Sequence, residues 1–178
     1  MSNMAKLRKA DIEESVEIFQ FYQNVIDSIK DSEFEPKWNK NYPDLDYVKK
    51  CIKNKELYVY KENDTIIACI VMNNRFEHEY EGIDWISNVK PDEITVLHTF
   101  AVDSNFAGKG IGKQIFNRIK DIAIENNQKT IRIDIIDSNT ASQKIFEKFG
   151  FIYIDTVEVY NKTVGLVKFN LYELILSE

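Results

Sequence analysis

The sequence predicts an α/β fold, a mixed central β-sheet with helices on both faces, from three observations. Apolar spacing switches back and forth between short strand-like runs and the 3.6-residue period of helices. The segments are short and follow one another without an internal repeat, low-complexity tract or linker in 178 residues. The three prolines stand at 36, 43 and 91, so the chain after residue 91 runs without one. A chain of this length buries roughly two thirds of its unfolded surface, so residues 1–178 are expected to form a single domain.

Each element has its own signal. A short strand near Lys6 leads into a helix from Asp11 to about Lys30, with Asp11 and Glu14 at capping-box spacing. Ile12, Val16 and Phe19, with Ile18, Tyr22, Val25 and Ile29, give two adjoining apolar rows at helical period. Pro36 and Pro43 bound an irregular aromatic stretch, and a short helix follows around Asp46 to Lys53. Leu57 to Lys61 and Thr65 to Met72, joined by Glu62-Asn63-Asp64, read as a hairpin. A polar excursion covers 74 to 91. Glu93 to Val102 reads as a strand, and a helix from about Gly110 to Asn126 sets Ile111, Ile115, Ile119, Ile122 and Ala123 on one face. Ile131 to Ile136 is a strand, and Asn139 to Phe149 is a short helix with Ser142, Ile145, Phe146 and Phe149 along its stripe. Strands near 151–160 and 165–175 complete the order.

Composition narrows the function. Hydrophobic residues at 44% and charged residues at 29% are ordinary globular values. The longest apolar run, Ile66 to Met72, is far shorter than the ~20 residues of a membrane-spanning helix. Lys6, Arg8 and Lys9 are followed at once by Asp11, Glu13 and Glu14, unlike a targeting segment. Cys51 and Cys69 offer neither a disulfide framework nor a CxxC pair, so a cytoplasmic protein is expected. A net charge of −6 argues against nucleic acid as a partner, and no membrane partner is expected. One window departs from that balance: from Asn105 to Lys120 there are Lys109, Lys113, Arg118 and Lys120 and no acid.

That window contains the densest glycine cluster. In Ala107-Gly108-Lys109-Gly110-Ile111-Gly112-Lys113, three glycines fall between a strand and an amphipathic helix. Glycine lets consecutive amides turn toward one point, and a helix N-terminus adds unpaired N–H donors and about half a positive charge. Such a loop grips phosphate or diphosphate through its backbone. The alternative is a solvated, lysine-rich helix face after a glycine turn, but a turn alone needs one glycine. A Walker A loop fails because position 107 is Ala and position 114 is Gln. A dinucleotide GxGxxG fingerprint begins at Gly108 and Gly110 but meets Lys113 where its third glycine belongs.

Thr99-Phe100-Ala101-Val102-Asp103, the Ala107–Lys113 loop, Asn139, and Phe146-Glu147-Lys148-Phe149-Gly150-Phe151 together resemble the GNAT (Gcn5-related) N-acetyltransferases. The motifs fall between about Leu97 and Phe151, and the element order is similar over nearly the whole chain. Trp38, Tyr42-Pro43 and Trp85 resemble a subgroup of small bacterial members of undefined substrate. The resemblance implies a sheet splayed between its fourth and fifth strands, with acetyl-CoA in the gap. It implies main-chain contacts from Phe100, Ala101 and Val102 to the pantetheine arm, and amides from Ala107 to Lys113 on the diphosphate. Asn139, Ser142 and Phe146 would face the pantetheine end. Two positions depart from the family pattern. Ala107 stands in place of Arg or Gln, and Phe146 stands where many members have a tyrosine thought to protonate the departing thiolate. A thiol has a reference pKa of about 8.5, so the thiolate leaves with little help.

Acyl transfer to an amine benefits from a general base near neutrality. His98, two residues from Phe100, is the candidate; the alternative is a hydrogen-bonded histidine within the sheet. Glu93 is a weaker candidate, as are Glu77, Glu79 and Asp84, and His78 reads as a surface residue. Trp38, Tyr42 and Trp85 lie in irregular segments and are candidates for an acceptor pocket suited to a cationic or apolar group; the alternative is that they anchor loops. No HExxH, Cys/His cluster or EF-hand loop points to a metal, and no GxSxG elbow points to a nucleophile. The expected activity is direct transfer of an acetyl group from acetyl-CoA to a primary amine of a small-molecule or peptide acceptor. The alternative is a GNAT-like module that binds acyl-CoA without turnover, and a longer acyl group is a third reading. The final strands, rich in Val, Leu and Phe, offer a surface for a homodimer.

Overall fold

The computed structural model describes residues 6–30, 41–161 and 165–176. The strands are β1 (Lys6–Lys9), β2 (Leu57–Glu62), β3 (Thr65–Asn73), β4 (Ile94–Val102), β5 (Thr130–Ile136), β6 (Ile152–Asn161) and β7 (Gly165–Ile175). The helices are α1 (Ser15–Ile29), α2 (Leu45–Lys53), α3 (Ile111–Glu125) and α4 (Thr140–Lys148). The strands hydrogen-bond in the order β1-β2-β3-β4-β5-β7-β6. All the pairings described are antiparallel except β4 with β5, which is parallel. The β4–β5 pairing covers Ile94–Leu97 against Thr130–Ile133, the first part of β4.

The described residues divide into two compact units: 6–30, 41–72 and 98–119 form one, and 73–97, 120–161 and 165–176 the other. In the first unit, Ile18, Phe21 and Tyr22 of α1 and Val48, Cys51 and Ile52 of α2 pack with Val59, Cys69 and Val71 on one face of the strands. Ile67 and Ile70 of β3 are fully buried as well, so both faces of that strand are covered. The start of α1 is fixed by a capping box in which the Asp11 amide donates to Glu14 Oε2 at 2.9 Å. The hairpin turn places Asn63 and Asp64 at φ +48° and +63°, the left-handed pair that a two-residue turn matched to strand twist requires.

In the second unit, Tyr80, Val159, Phe169 and Leu171 form a core against which Phe76, Ile83 and Trp85 of the excursion pack. That excursion is irregular, with single 3-10 turns at His78–Tyr80 and Pro91–Glu93.

Three expectations are corrected. Of the two apolar rows on α1, Val16 is 63% exposed and Ile12 40%, while Ile18, Phe21, Tyr22 and Ile26 are buried and Phe19 packs partly buried against the core. Ile145 on α4 is 49% exposed while Phe146 beside it is buried. Glu93 belongs to the 3-10 turn before β4 and not to the strand. On the two helices a reading from periodicity alone is too wide, because a helix buries only the residues facing the sheet.

Candidate functional site

The first unit contains the glycine loop. β4 ends at Val102, Asp103 caps a short turn by accepting from the Asn105 amide at 2.9 Å, and the Ala107 amide donates to the Ser104 carbonyl at 3.1 Å. From there the chain is exposed through Gly110. Gly108 and Gly110 both adopt φ +75°, a region costly to a side chain, and a Cβ on either would meet nothing within 4 Å. The loop is therefore open on its outer side. No acceptor among the described residues takes the amides of Gly108 to Lys113; Gln114 is the first, donating to the Gly110 carbonyl at 3.2 Å. A run of unpaired amides at the start of a fifteen-residue helix is an anion site in form and charge. Lys109 lies over the Phe106 ring at 5.2 Å, which holds its ammonium beside the loop, and Lys113 is exposed. The residues present fit a diphosphate without needing the side chain that Ala107 lacks.

The second half of β4 carries a distortion that the sequence does not announce. Thr99 has φ +45°, a backbone region that a β-branched residue rarely enters, in the middle of a strand. Two tyrosines hold it. The Tyr22 hydroxyl donates to the Thr99 carbonyl at 2.9 Å, and the Tyr47 hydroxyl lies 3.4 Å from Thr99 Oγ1. Burial pushes both phenols well above their ordinary pKa, so both keep the proton. Tyr42 packs its ring 5.0 Å from that of Tyr47. Around Thr99 burial alternates: Thr99 and Ala101 are buried, while His98, Phe100 and Val102 are half-buried. His98 and Phe100 are thus both half-buried, on either side of the Thr99 distortion. Nothing in the sequence distinguishes Thr99, since a threonine in a strand is unremarkable.

The second unit holds the remaining candidates. Asn139 caps α4, its side chain accepting from the Ser142 amide at 3.1 Å. Phe146 is 6% exposed, with its ring edge-on to Phe149 at 6.1 Å and to Phe151 at 5.3 Å. Glu93 Oε2 accepts from the Lys90 amide at 2.9 Å, so its carboxylate serves its own turn. Trp85 lies over the Arg132 guanidinium at 4.1 Å. Arg132 Nε donates in turn to Glu173 Oε1 at 2.8 Å, and Glu173 also takes the Ser87 hydroxyl and amide. Burial alone would raise Glu173; the Ser87 and Arg132 donors overcome it and hold the carboxylate below its usual pKa. The Tyr80 hydroxyl donates to Asp134 on β5. Glu77 and Glu79 are exposed, Asp84 is exposed, and His78 is at the surface beside Glu81, which raises its pKa along with its own backbone. Trp38 lies outside the described residues.

Among the described residues no group of three or more His, Cys, Asp or Glu is arranged to hold a metal, and no helix is long and apolar enough to cross a membrane. Cys51 and Cys69 are buried free thiols.

Comparison with known proteins agrees with this geometry. The family model described as the acetyltransferase (GNAT) family matches residues 23–151. An uncharacterized N-acetyltransferase of Methanocaldococcus jannaschii is 26% identical over 91 residues, 51% of this chain and 40% of that protein. The chain spans less than half the length of the curated relatives it matches. Among solved structures, a GNAT-family acetyltransferase from Streptococcus agalactiae superposes with a TM-score of 0.81 at 17% identity, covering 100% of this chain and 99% of that one. A structure from Salmonella typhimurium with its cofactor acetyl-CoA gives a TM-score of 0.68 at 17% identity, covering 99% and 96%. At such identities the structures establish the fold.

Proposed function

Because the chain belongs to the GNAT family of acetyltransferases, we propose that it transfers an acetyl group from acetyl-CoA directly to a primary amine, with residues 1–178 acting as one acetyltransferase domain. The observation that carries this reading is the open loop with its unpaired amides from Gly108 to Lys113. Bound acetyl-CoA supplies an activated acyl thioester. The loop amides bind its diphosphate, with Lys109 and Lys113 adding charge. The main chain of Phe100, Ala101 and Val102, beyond the Ile94–Leu97 stretch that pairs with β5, would pair with the pantetheine arm as an added strand does. His98 accepts the amine proton directly or through water. Tyr42, its ring tilted against that of Tyr47, whose hydroxyl reaches Thr99, is the aromatic residue of the first unit assigned to the acceptor.

Asn139, Ser142 and Phe146 are assigned to the cofactor only by the family resemblance, and Trp85 to the acceptor only by its aromatic character. Asn139 and Ser142 are engaged in capping α4, and Trp85 covers Arg132. The proposal does not depend on them.

A second reading is a module that binds acyl-CoA without turning it over. Phe146, buried among aromatic rings with no proton to donate, favours it. Calorimetric titration with CoA, run beside thiol release from acetyl-CoA with a panel of primary amines, decides between the two. The transferase reading expects CoA binding and amine-dependent thiol release. Binding with no amine-dependent release across the panel supports the module, and absence of CoA binding overturns both.

A further inference from the structure

A second concave surface lies in the first unit, apart from the glycine loop. It is a groove of about 850 Å³ between α1, the β2–β3 turn and the end of β4. Val16, Phe21, Val25 and Ile66 line it together with the acids Glu13, Glu17, Asp64 and Asp103 and with neutral polar side chains, and no lysine or arginine is among the described residues that line it. The groove follows α1 from Glu13 to Ser28. Fifteen helical residues at about 1.5 Å each give about 22 Å, the span of roughly six or seven extended residues.

Two features distinguish this groove from an ordinary wetted helix face. Val16 is left 63% exposed on a helix whose other apolar residues turn inward. Glu13 and Asp64 have no partner among the described residues, so their charge stands uncompensated in the lining. The other two acids are engaged: Glu17 with Lys61 at 2.7 Å, and Asp103 with the Asn105 main-chain and side-chain amides at 2.9 Å each. A lining of apolar and acidic side chains with no cation among them is complementary to an extended segment in which cationic and apolar side chains alternate. The groove is too long for a single amine and has no cation to meet an acidic ligand.

We propose that this groove docks an extended, lysine- or arginine-rich segment of a protein acceptor. Naming the partner as the acceptor rests on the acetyl-transfer reading; the docking itself does not.

The test uses the full chain and a fluorescein-labelled, end-blocked hexapeptide alternating arginine and leucine, which has no primary amine. Fluorescence anisotropy should show binding that weakens as salt shortens the Debye length from about 10 Å at 0.1 M. Glu13→Lys with Asp64→Lys, and separately Val16→Asp, should each weaken it by about tenfold or more. Glu79→Lys in the second unit should leave it unchanged, and CoA affinity should stay the same in every variant. Equal binding of a glutamate–leucine peptide, equal binding to the groove variants, or displacement of the peptide by an equal concentration of spermine would overturn the assignment. A matching peptide with a free N-terminal amine separates the two claims. Acceptor-dependent thiol release with KM raised and kcat unchanged in Glu13→Lys/Asp64→Lys supports docking of an acceptor. Binding without release retains the groove and overturns its link to acetyl transfer.

Discussion

The Tyr22 hydroxyl donates to the Thr99 carbonyl across 77 positions of sequence, at 2.9 Å, in a fully buried setting. Thr99 sits at φ +45°, and a backbone held there costs of order 1–3 kcal/mol unless its surroundings enforce it. Tyr22→Phe removes the enforcing donor and strands a buried carbonyl. The expected loss of stability is about 1–3 kcal/mol, read from urea denaturation. The KM for acetyl-CoA should rise as the second half of β4 relaxes. Unchanged stability and unchanged KM would mean that Thr99 keeps its conformation without help.

Gly110→Asp tests the glycine loop. The substitution adds bulk and negative charge at a φ of +75° where a Cβ meets no neighbour. The backbone cost is about 1 kcal/mol, so the protein should stay folded, while CoA affinity falls at least about tenfold. Gly110→Asn carries the same backbone cost without the charge and should lose much less. Equal loss in the two variants would remove the electrostatic part of the argument.

For His98, replacement by Gln should reduce turnover roughly 10²–10⁴-fold with CoA binding intact, and the pH–rate profile should lose its lower limb. A loss below tenfold with intact folding moves the base elsewhere.

Phe146→Tyr restores the hydroxyl that many relatives carry. In this protein the ring is packed edge-on against Phe149 and Phe151, so the added hydroxyl enters an apolar cluster. The expected result is a stability loss of about 1–3 kcal/mol and no gain in turnover. Increased turnover with unchanged stability would show that the hydroxyl reaches the reacting groups.

Acid should loosen the entry to α1. Arg8 donates to both Glu14 oxygens, at 2.9 and 2.8 Å, and with the Asp11 amide and Lys61 it lowers Glu14 from 4.5 to about 2. A depressed carboxylate contributes stability that is full above its unfolded pKa and is lost as pH falls through the folded value. The loss therefore runs from about 4.5 down to about 2. Glu14→Gln should flatten the stability–pH curve across that window and cost about 1 kcal/mol at neutral pH, solvent screening included. An unchanged acid limb would assign the loss to other carboxylates.

The order of the elements, the hairpin at Asn63-Asp64, the glycine loop and the His98–Phe100 spacing were all legible in the sequence. Each is a local property: backbone freedom at glycine, a turn that needs positive φ, a period of two or 3.6 residues. The width of buried stripes was not: Ile145 lies on the apolar stripe of α4 and is 49% exposed, since which side of a helix meets the sheet depends on packing. The positive φ of Thr99, the tyrosines that hold it and the Trp85–Arg132–Glu173 chain were decided only by tertiary structure. Each joins residues far apart in sequence, and a buried donor and acceptor are fixed by where two elements meet rather than by either residue's own preference. The same holds for the acidic groove: Glu13, Asp64 and Asp103 are ordinary surface acids until the fold brings α1, a hairpin turn and the end of β4 to one surface.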